Sequence, residues 1–155
     1  MRRTMREHAP LELEHFLPYR LSIASNTISQ SIAREYQQRY GLGVTEWRVI
    51  AVLARYDGEG LSAREVAERT ATDKVTVSRA LARLVAAGRV RKRIHRGDKR
   101  RSVLALSAKG WAIHDAVAPR ARAHETALLA RLDAHERGCL ARILDKLTEA
   151  GRAPR

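Results

Sequence analysis

Apolar residues fall into helical steps at both ends of the chain and into a short β-leaning run between them. Leu17, Leu21, Ala24, Ile28, Ile32 and Tyr36 recur every three or four residues, which places them on one stripe of a long helix. Pro18 suits its first turn, and Gly41 and Gly43 close it. Thr45 is the expected cap of a second helix carrying Trp47, Ile50, Val52 and Leu53, ended by Asp57-Gly58. Ser62 and Glu65 form the S-x-x-E pattern, in which each side chain satisfies the other's backbone N–H, and open a short helix through Arg69. Thr70 to Asp73 form a turn, Thr72 or Asp73 caps the next helix to about Ala87, and Gly88 stops it. Two helices joined by so short a turn, the second rich in basic and hydroxyl side chains, are a helix-turn-helix candidate.

Val90 to Ile94 and Arg101 to Leu106 flank Gly97-Asp98, which predicts a β-hairpin. A two-stranded hairpin is marginal alone, but attached to a helix-turn-helix it makes a wing. Ser107 caps a long helix from near Ala108, with a bend or break expected around Pro119. A last helix from about Ala134 to Ala150 presents Leu140, Ile143, Leu144 and Leu147. The predicted fold class is mainly α with a small β-hairpin wing. Residues 44–107 would form a winged helix-turn-helix DNA-binding domain, residues 1–43 an N-terminal arm and dimerisation helix, and residues 108–155 C-terminal dimerisation helices. The terminal stripes are hard to bury within one small chain, and a two-fold homodimer with interleaved helices is the economical solution.

Charge sharpens this picture. The net charge is +13, and between Leu61 and Arg101 thirteen cations face four anions, so +9 sits in about a quarter of the chain. Such clustering is the electrostatic footprint of a nucleic-acid face, whereas a generally basic surface spreads its charge. From Lys74 to Arg101 there is no Phe, Tyr or Trp, the stacking platforms of single-stranded RNA binders, which favours duplex DNA. No apolar run approaches the roughly 18 residues needed to span a bilayer, and the basic start leads into no secretory signal. Cys139 stands alone, which excludes an internal disulfide framework or a multi-cysteine zinc site and reads as a small buried hydrophobe. The six histidines show no i,i+4 pair, and there is no phosphate-binding glycine loop, nucleophile elbow or Ser/His/Asp arrangement. The expectation is a cytoplasmic, nucleoid-associated binding protein with no membrane contact, no cofactor, no metal and no enzymatic activity.

At about 100° per residue, Val77, Leu81 and Leu84 of the second motif helix point inward together. Thr76, Arg79 and Arg83 share another face, with Lys74 and Val75 at the exposed first turn. Arg79 is the candidate for bidentate reading of guanine in the major groove. Thr76 and Ser78 suit a thymine methyl or a phosphate, and Arg83 suits a phosphate. The alternative is a solvated basic face that touches phosphates only.

The sequence resembles the MarR family of bacterial transcription regulators. The resemblance runs from Val44-Thr45-Glu46-Trp47-Arg48-Val49-Ile50 through Leu61-Ser62 and Asp73-Lys74-Val75-Thr76-Val77-Ser78-Arg79. It continues to Asp98-Lys99-Arg100 and Leu106-Ser107-Ala108-Lys109-Gly110, and covers roughly residues 17 to 148. It implies an obligate dimer on a pseudo-palindromic operator, with Ser62 and the wing residues Arg96, Asp98, Lys99 and Arg100 joining the reading helix on DNA. Asp98 and Arg100 match the family's D-x-R wing, where a carboxylate orients a guanidinium toward the minor groove. It also implies an effector pocket between the reading lobe and the dimer helices. Candidates there are Tyr19, Arg20, Ile23, Ala24 and Thr27 on the first helix, with Trp47 and Arg48 on the second. Arg20 could hold the carboxylate of a small aromatic acid or its coenzyme A thioester; the alternatives are an interhelical ion pair for Arg20 and a core role for Trp47. The expected function is a ligand-released, sequence-specific repressor. The alternative is an ungated architectural or RNA-binding winged-helix protein.

Overall fold

Val49 and Ile50 are completely enclosed, and the fold is arranged around the helix that carries them. The computed structural model describes residues 9–95, 97 and 102–152. After a 3-10 turn at Leu13–His15 come α1 (Leu17–Tyr40), α2 (Val44–Arg55), α3 (Ala63–Thr70) and α4 (Lys74–Ala86). Strands β1 (Val90–Ile94) and β2 (Ser102–Leu106) follow, then α5 (Ala108–Leu129) and α6 (Ala134–Arg152). Helices α3, α4 and α5 and strand β2 all pack on α2, while α1 lies across α2 and α5. The core draws Tyr36 from α1, Leu53 from α2, Val66 from α3, Val77 and Leu84 from α4 and Ile113 from α5. The predicted class, mostly helical with one wing hairpin, is the class observed.

β1 and β2 are antiparallel, with Val90 opposite Leu106 and Ile94 opposite Ser102. Leu61 adds a single bridge, its carbonyl accepting from the Leu104 N–H at 2.8 Å. Val103 to Leu106 are all buried, whereas on β1 only Val90 is. The hairpin is thus held to the core by its second strand and by the root of its first. Tertiary packing supplies what two strands alone lack.

The corner between α4, β1 and α5 depends on two glycines. Gly88 takes φ +67°, the left-handed conformation that ends α4. A Cβ at Gly110 would collide with the Arg89 carbonyl oxygen, so only glycine lets the start of α5 approach that backbone. Ser107 caps α5, accepting from Gly110 N–H at 3.1 Å and donating to the Gly88 carbonyl at 2.6 Å.

Three local expectations are corrected. Helix α2 starts at Val44 with Gly43 as its cap, and the carboxylate of Glu46 accepts the Gly43 N–H at 2.7 Å. Thr45 is therefore inside the first turn, because a glutamate from the third position does the capping. Helix α5 runs through Pro119 without interruption. Pro119 faces solvent while Val117 and Ala118 stay buried, so the missing N–H falls on the outer side of the helix. Cys139 is half-buried and makes no part of the core. Its thiol lies 3.4 Å from His135 Nε2 and accepts from Arg142 at 3.3 Å, on a helix in which no described residue is buried.

The long stripe of α1 divides in two. Ala33 and Tyr36 are buried against α2 and α5, but Leu17, Leu21 and Ile28 remain exposed. Leu140, Ile143 and Leu144 of α6 are exposed as well. Among the described residues, no helix is long and apolar enough to cross a membrane.

Candidate nucleic-acid interface and the adjoining cleft

Helix α4 is fixed in direction at its start and along its inner side. Asp73 is its cap, the carboxylate accepting the Thr76 N–H at 2.9 Å. Hydrogen bonds from Thr76 hold this carboxyl below the ordinary carboxylate range. Val77, Ala80, Leu81 and Leu84 are buried beneath the helix. Lys74, Val75, Ser78, Arg79 and Arg83 consequently stand on the outside, and Thr76 sits at the edge of that face. Val75, at 61% exposure, is an unusually open apolar residue beside two cations. One outward face thus brings together an apolar contact, hydroxyls and guanidinium groups at the terminus of a helix.

The turn before α4 carries the one described non-glycine residue with positive φ, Ala71 at 51°. The Ala71 N–H still bonds the Glu68 carbonyl at 3.4 Å, and Thr70 is buried with its hydroxyl on the Ala67 carbonyl at 3.1 Å. Ser62 is occupied as the cap of α3: its hydroxyl accepts from Glu65 N–H at 3.3 Å and donates to the Glu65 carboxylate at 2.7 Å. Arg91, Lys92 and Arg93 lie exposed along β1, extending the basic surface toward the wing. The wing candidates Arg96, Asp98, Lys99 and Arg100 lie outside the described residues.

Arg83 is tethered. Its Nε lies 2.7 Å from Glu46 Oε1 in an ion pair across the α2–α4 contact. Glu46 is one of two buried polar residues in the described structure, and sequence reading passed over it. The only signal was a carboxylate at the third position of a helix preceded by glycine, which resembles an ordinary cap.

Behind this face a cleft of about 500 Å³ opens between α1, α2 and α5. Ile28, Ile32, Tyr36 and Trp47 supply apolar wall, and Arg48, Arg122 and His124 supply charge or hydrogen bonds. The Tyr36 and Trp47 rings are 5.8 Å apart, and His114 stacks on Trp47 at 6.1 Å. Arg48 donates to the Ser29 hydroxyl at 3.3 Å, and His124 Nε2 lies 2.8 Å from the Ser31 hydroxyl. The Tyr36 hydroxyl is buried with no hydrogen-bond partner among the described residues. Burial pushes that phenol above its ordinary value, with the Arg48 charge pulling partly back.

Of the candidate ligand residues, Trp47 and Arg48 line this cleft. Tyr19, Arg20, Ile23, Ala24 and Thr27 do not; all five are exposed on the first half of α1. Tyr19 is nine residues before Ile28, or about 13 Å along the helix axis at 1.5 Å per residue. The cleft forms where α1 crosses α2 and α5, further along α1 than the sequence suggested. Ile28, Ile32 and Tyr36 were legible as a stripe, but α5's share of the wall carries no local signal.

Residues 40–101 match the sequence model of the MarR family. A MarR-family transcriptional regulator from Silicibacter pomeroyi is 27% identical over 97% of this chain and 99% of that one, with a TM-score of 0.73. The PcaV transcriptional regulator from Streptomyces coelicolor, solved with its natural ligand, is 24% identical, covers 94% and 100% of the two chains, and has a TM-score of 0.71. MepR of S. aureus, solved with DNA, shares the fold at a TM-score of 0.80 and 18% identity, over 90% of this chain and 99% of that one. No curated protein sequence matches the chain.

Proposed function

We propose that this chain, whose residues 40–101 match the model of the MarR family, is a homodimeric, sequence-specific repressor of pseudo-palindromic operators. In this reading residues 44–107 read DNA, while residues 1–43 and 108–155 join two copies. The observation that carries it is α4: its inner side is locked in the core while Lys74, Val75, Ser78 and Arg79 project outward. A major groove about 12 Å wide admits one such helix, with its first turns at the base edges. Arg79 reads guanine, Val75 and Thr76 meet thymine methyls, and Ser78, Lys74 and Arg83 hold phosphates. Wing residues 96–100 reach the adjoining minor groove. The MepR–DNA complex supports DNA as the partner.

The cleft is the effector site in this reading, and a small aromatic acid is the ligand class. A volume of about 500 Å³ suits such a molecule. Its ring would lie against Trp47 and its carboxylate on Arg48, whose bond to Ser29 at 3.3 Å is long enough to be exchanged. The PcaV complex supports ligand response on this fold. Binding there would press α1 and α5 away from α2 and shift the separation of two α4 helices away from one DNA turn, about 34 Å. A DNA-bound regulator of this kind works in the cytoplasm.

The test is binding of wild type and Arg79→Ala to a duplex selected by the protein from a random library, and to a scrambled duplex. Loss of about 1–3 kcal/mol on the selected duplex, with little change on the scrambled one, is expected for a base-reading arginine. Equal losses on both would remove Arg79 from base reading, and absence of any selected sequence would refute a sequence-specific regulator.

A further inference from the structure

We infer that Glu46, a residue of α2 and not of the reading helix, is a positioning residue for DNA binding that holds Arg83 ready for the phosphate backbone. The inference rests on the DNA-binding reading above and concerns a residue outside its contact set. Glu46 is 7% exposed, and both carboxylate oxygens are engaged. Oε2 accepts the Gly43 N–H at 2.7 Å, which fixes the carboxylate on its own helix. Oε1 forms an ion pair with Arg83, 2.7 Å from its Nε, which holds the arginine against α2. The Arg83 side chain is nevertheless 70% exposed. The stem is therefore clamped at Nε, while the rest of the guanidinium stays open to solvent on the basic side of α4.

A buried carboxylate is costly unless it is paired, and here the ion pair engages the guanidinium on its Nε side. A long, flexible arginine loses rotamer entropy when it is fixed, and a tether made before DNA arrives removes part of that cost from binding. Arg83 lies one turn beyond Arg79 on α4, so a fixed Arg83 also fixes how deeply that helix sits. Its anchor is the residue immediately before Trp47 and Arg48, both of which line the cleft. A shift of α2 at the cleft is thus delivered directly to a cation on the reading helix.

The test is a double-mutant cycle of Glu46→Gln and Arg83→Gln, read as the salt dependence of binding to a random-sequence duplex. The amide introduced by Glu46→Gln would still accept the Gly43 N–H but carries no charge for Arg83. Arg83→Gln should lower the log–log salt slope by about one phosphate contact and weaken binding about fivefold near physiological salt. Glu46→Gln should do the same although Arg83 is intact, and the double variant should equal Arg83→Gln alone. Thermal unfolding of all four proteins separates folding from binding. A Glu46→Gln protein that keeps or steepens the wild-type slope overturns the assignment, as do additive effects in the double variant. Wild type that binds duplex without salt dependence would overturn the DNA-binding reading and this inference together, whereas wild-type binding with an unaltered Glu46→Gln slope overturns this inference alone.

Discussion

Helices α4 and α6 treat their apolar residues in opposite ways. The 13-residue α4 turns four of them into the core and sets its cations outside. The 19-residue α6 buries none of its described residues, and Leu140, Ile143 and Leu144 lie between 40% and 50% exposed. The first half of α1 is like α6. The core from Ala33 to Val117 closes among the described residues of one chain, while the terminal helices carry apolar faces left uncovered. Contiguous apolar surface of this kind marks an association site, and a two-fold partner offers the same stripe in return. In the proposed reading, stability and DNA reading on one side, and association on the other, belong to different parts of the molecule.

The largest expected effect breaks the self-sufficient half. Leu84→Ala removes a side chain that is 1% exposed and should cost about 2–5 kcal/mol in chemical denaturation. A loss below about 1 kcal/mol would show that α4 is not locked by its inner side. Next comes the incomplete half: Ile143→Glu with Leu144→Glu should convert a dimer to a monomer in light scattering at low micromolar concentration, while the lobe keeps its helical signal. A wild-type monomer, or a double variant of unchanged mass, would place the partner surface elsewhere. Smaller is the effect at the seam between the halves. Arg48→Ala should weaken binding of benzoate-type acids about tenfold, read by Trp fluorescence, while sparing duplex affinity; unchanged ligand titration would remove Arg48 from the cleft's function.

The smallest effect is at the cap of α4. The folded-state carboxyl of Asp73 is held below its unfolded value, so its stabilisation is present above the ordinary carboxylate range. That stabilisation fades as pH falls through the folded-state value. Asp73→Ala should therefore melt lower than wild type at neutral pH, and the gap should close in acid. A gap independent of pH would mean that the carboxylate charge does not serve the cap.

Much of the fold was legible because its signals are local. Periodicity located the helices, Gly88 and Ser107 marked where α4 ends and α5 begins, and the clustered cations marked the outward side. The candidate effector residues fared differently. Trp47 and Arg48 face the cleft, but Arg20 and its neighbours lie on the exposed first half of α1. A stripe gives direction around a helix and says nothing about where along the helix a neighbour crosses. The interruption offered as one alternative at Pro119 does not occur, and the reason is related: its cost depends on whether solvent or core lies beside it.

By itself the sequence determined which residues form helices, which side of α4 is apolar, and that positive charge gathers between Leu61 and Arg101. These follow from steps of three and four residues and from local hydrogen bonds. Only tertiary structure decided that α5 closes the cleft, that the Tyr36 hydroxyl is buried there, and that Glu46 grips Arg83 from a different helix. Such pairings depend on how helices cross, and the crossing is set by summed packing of many side chains that no short segment contains.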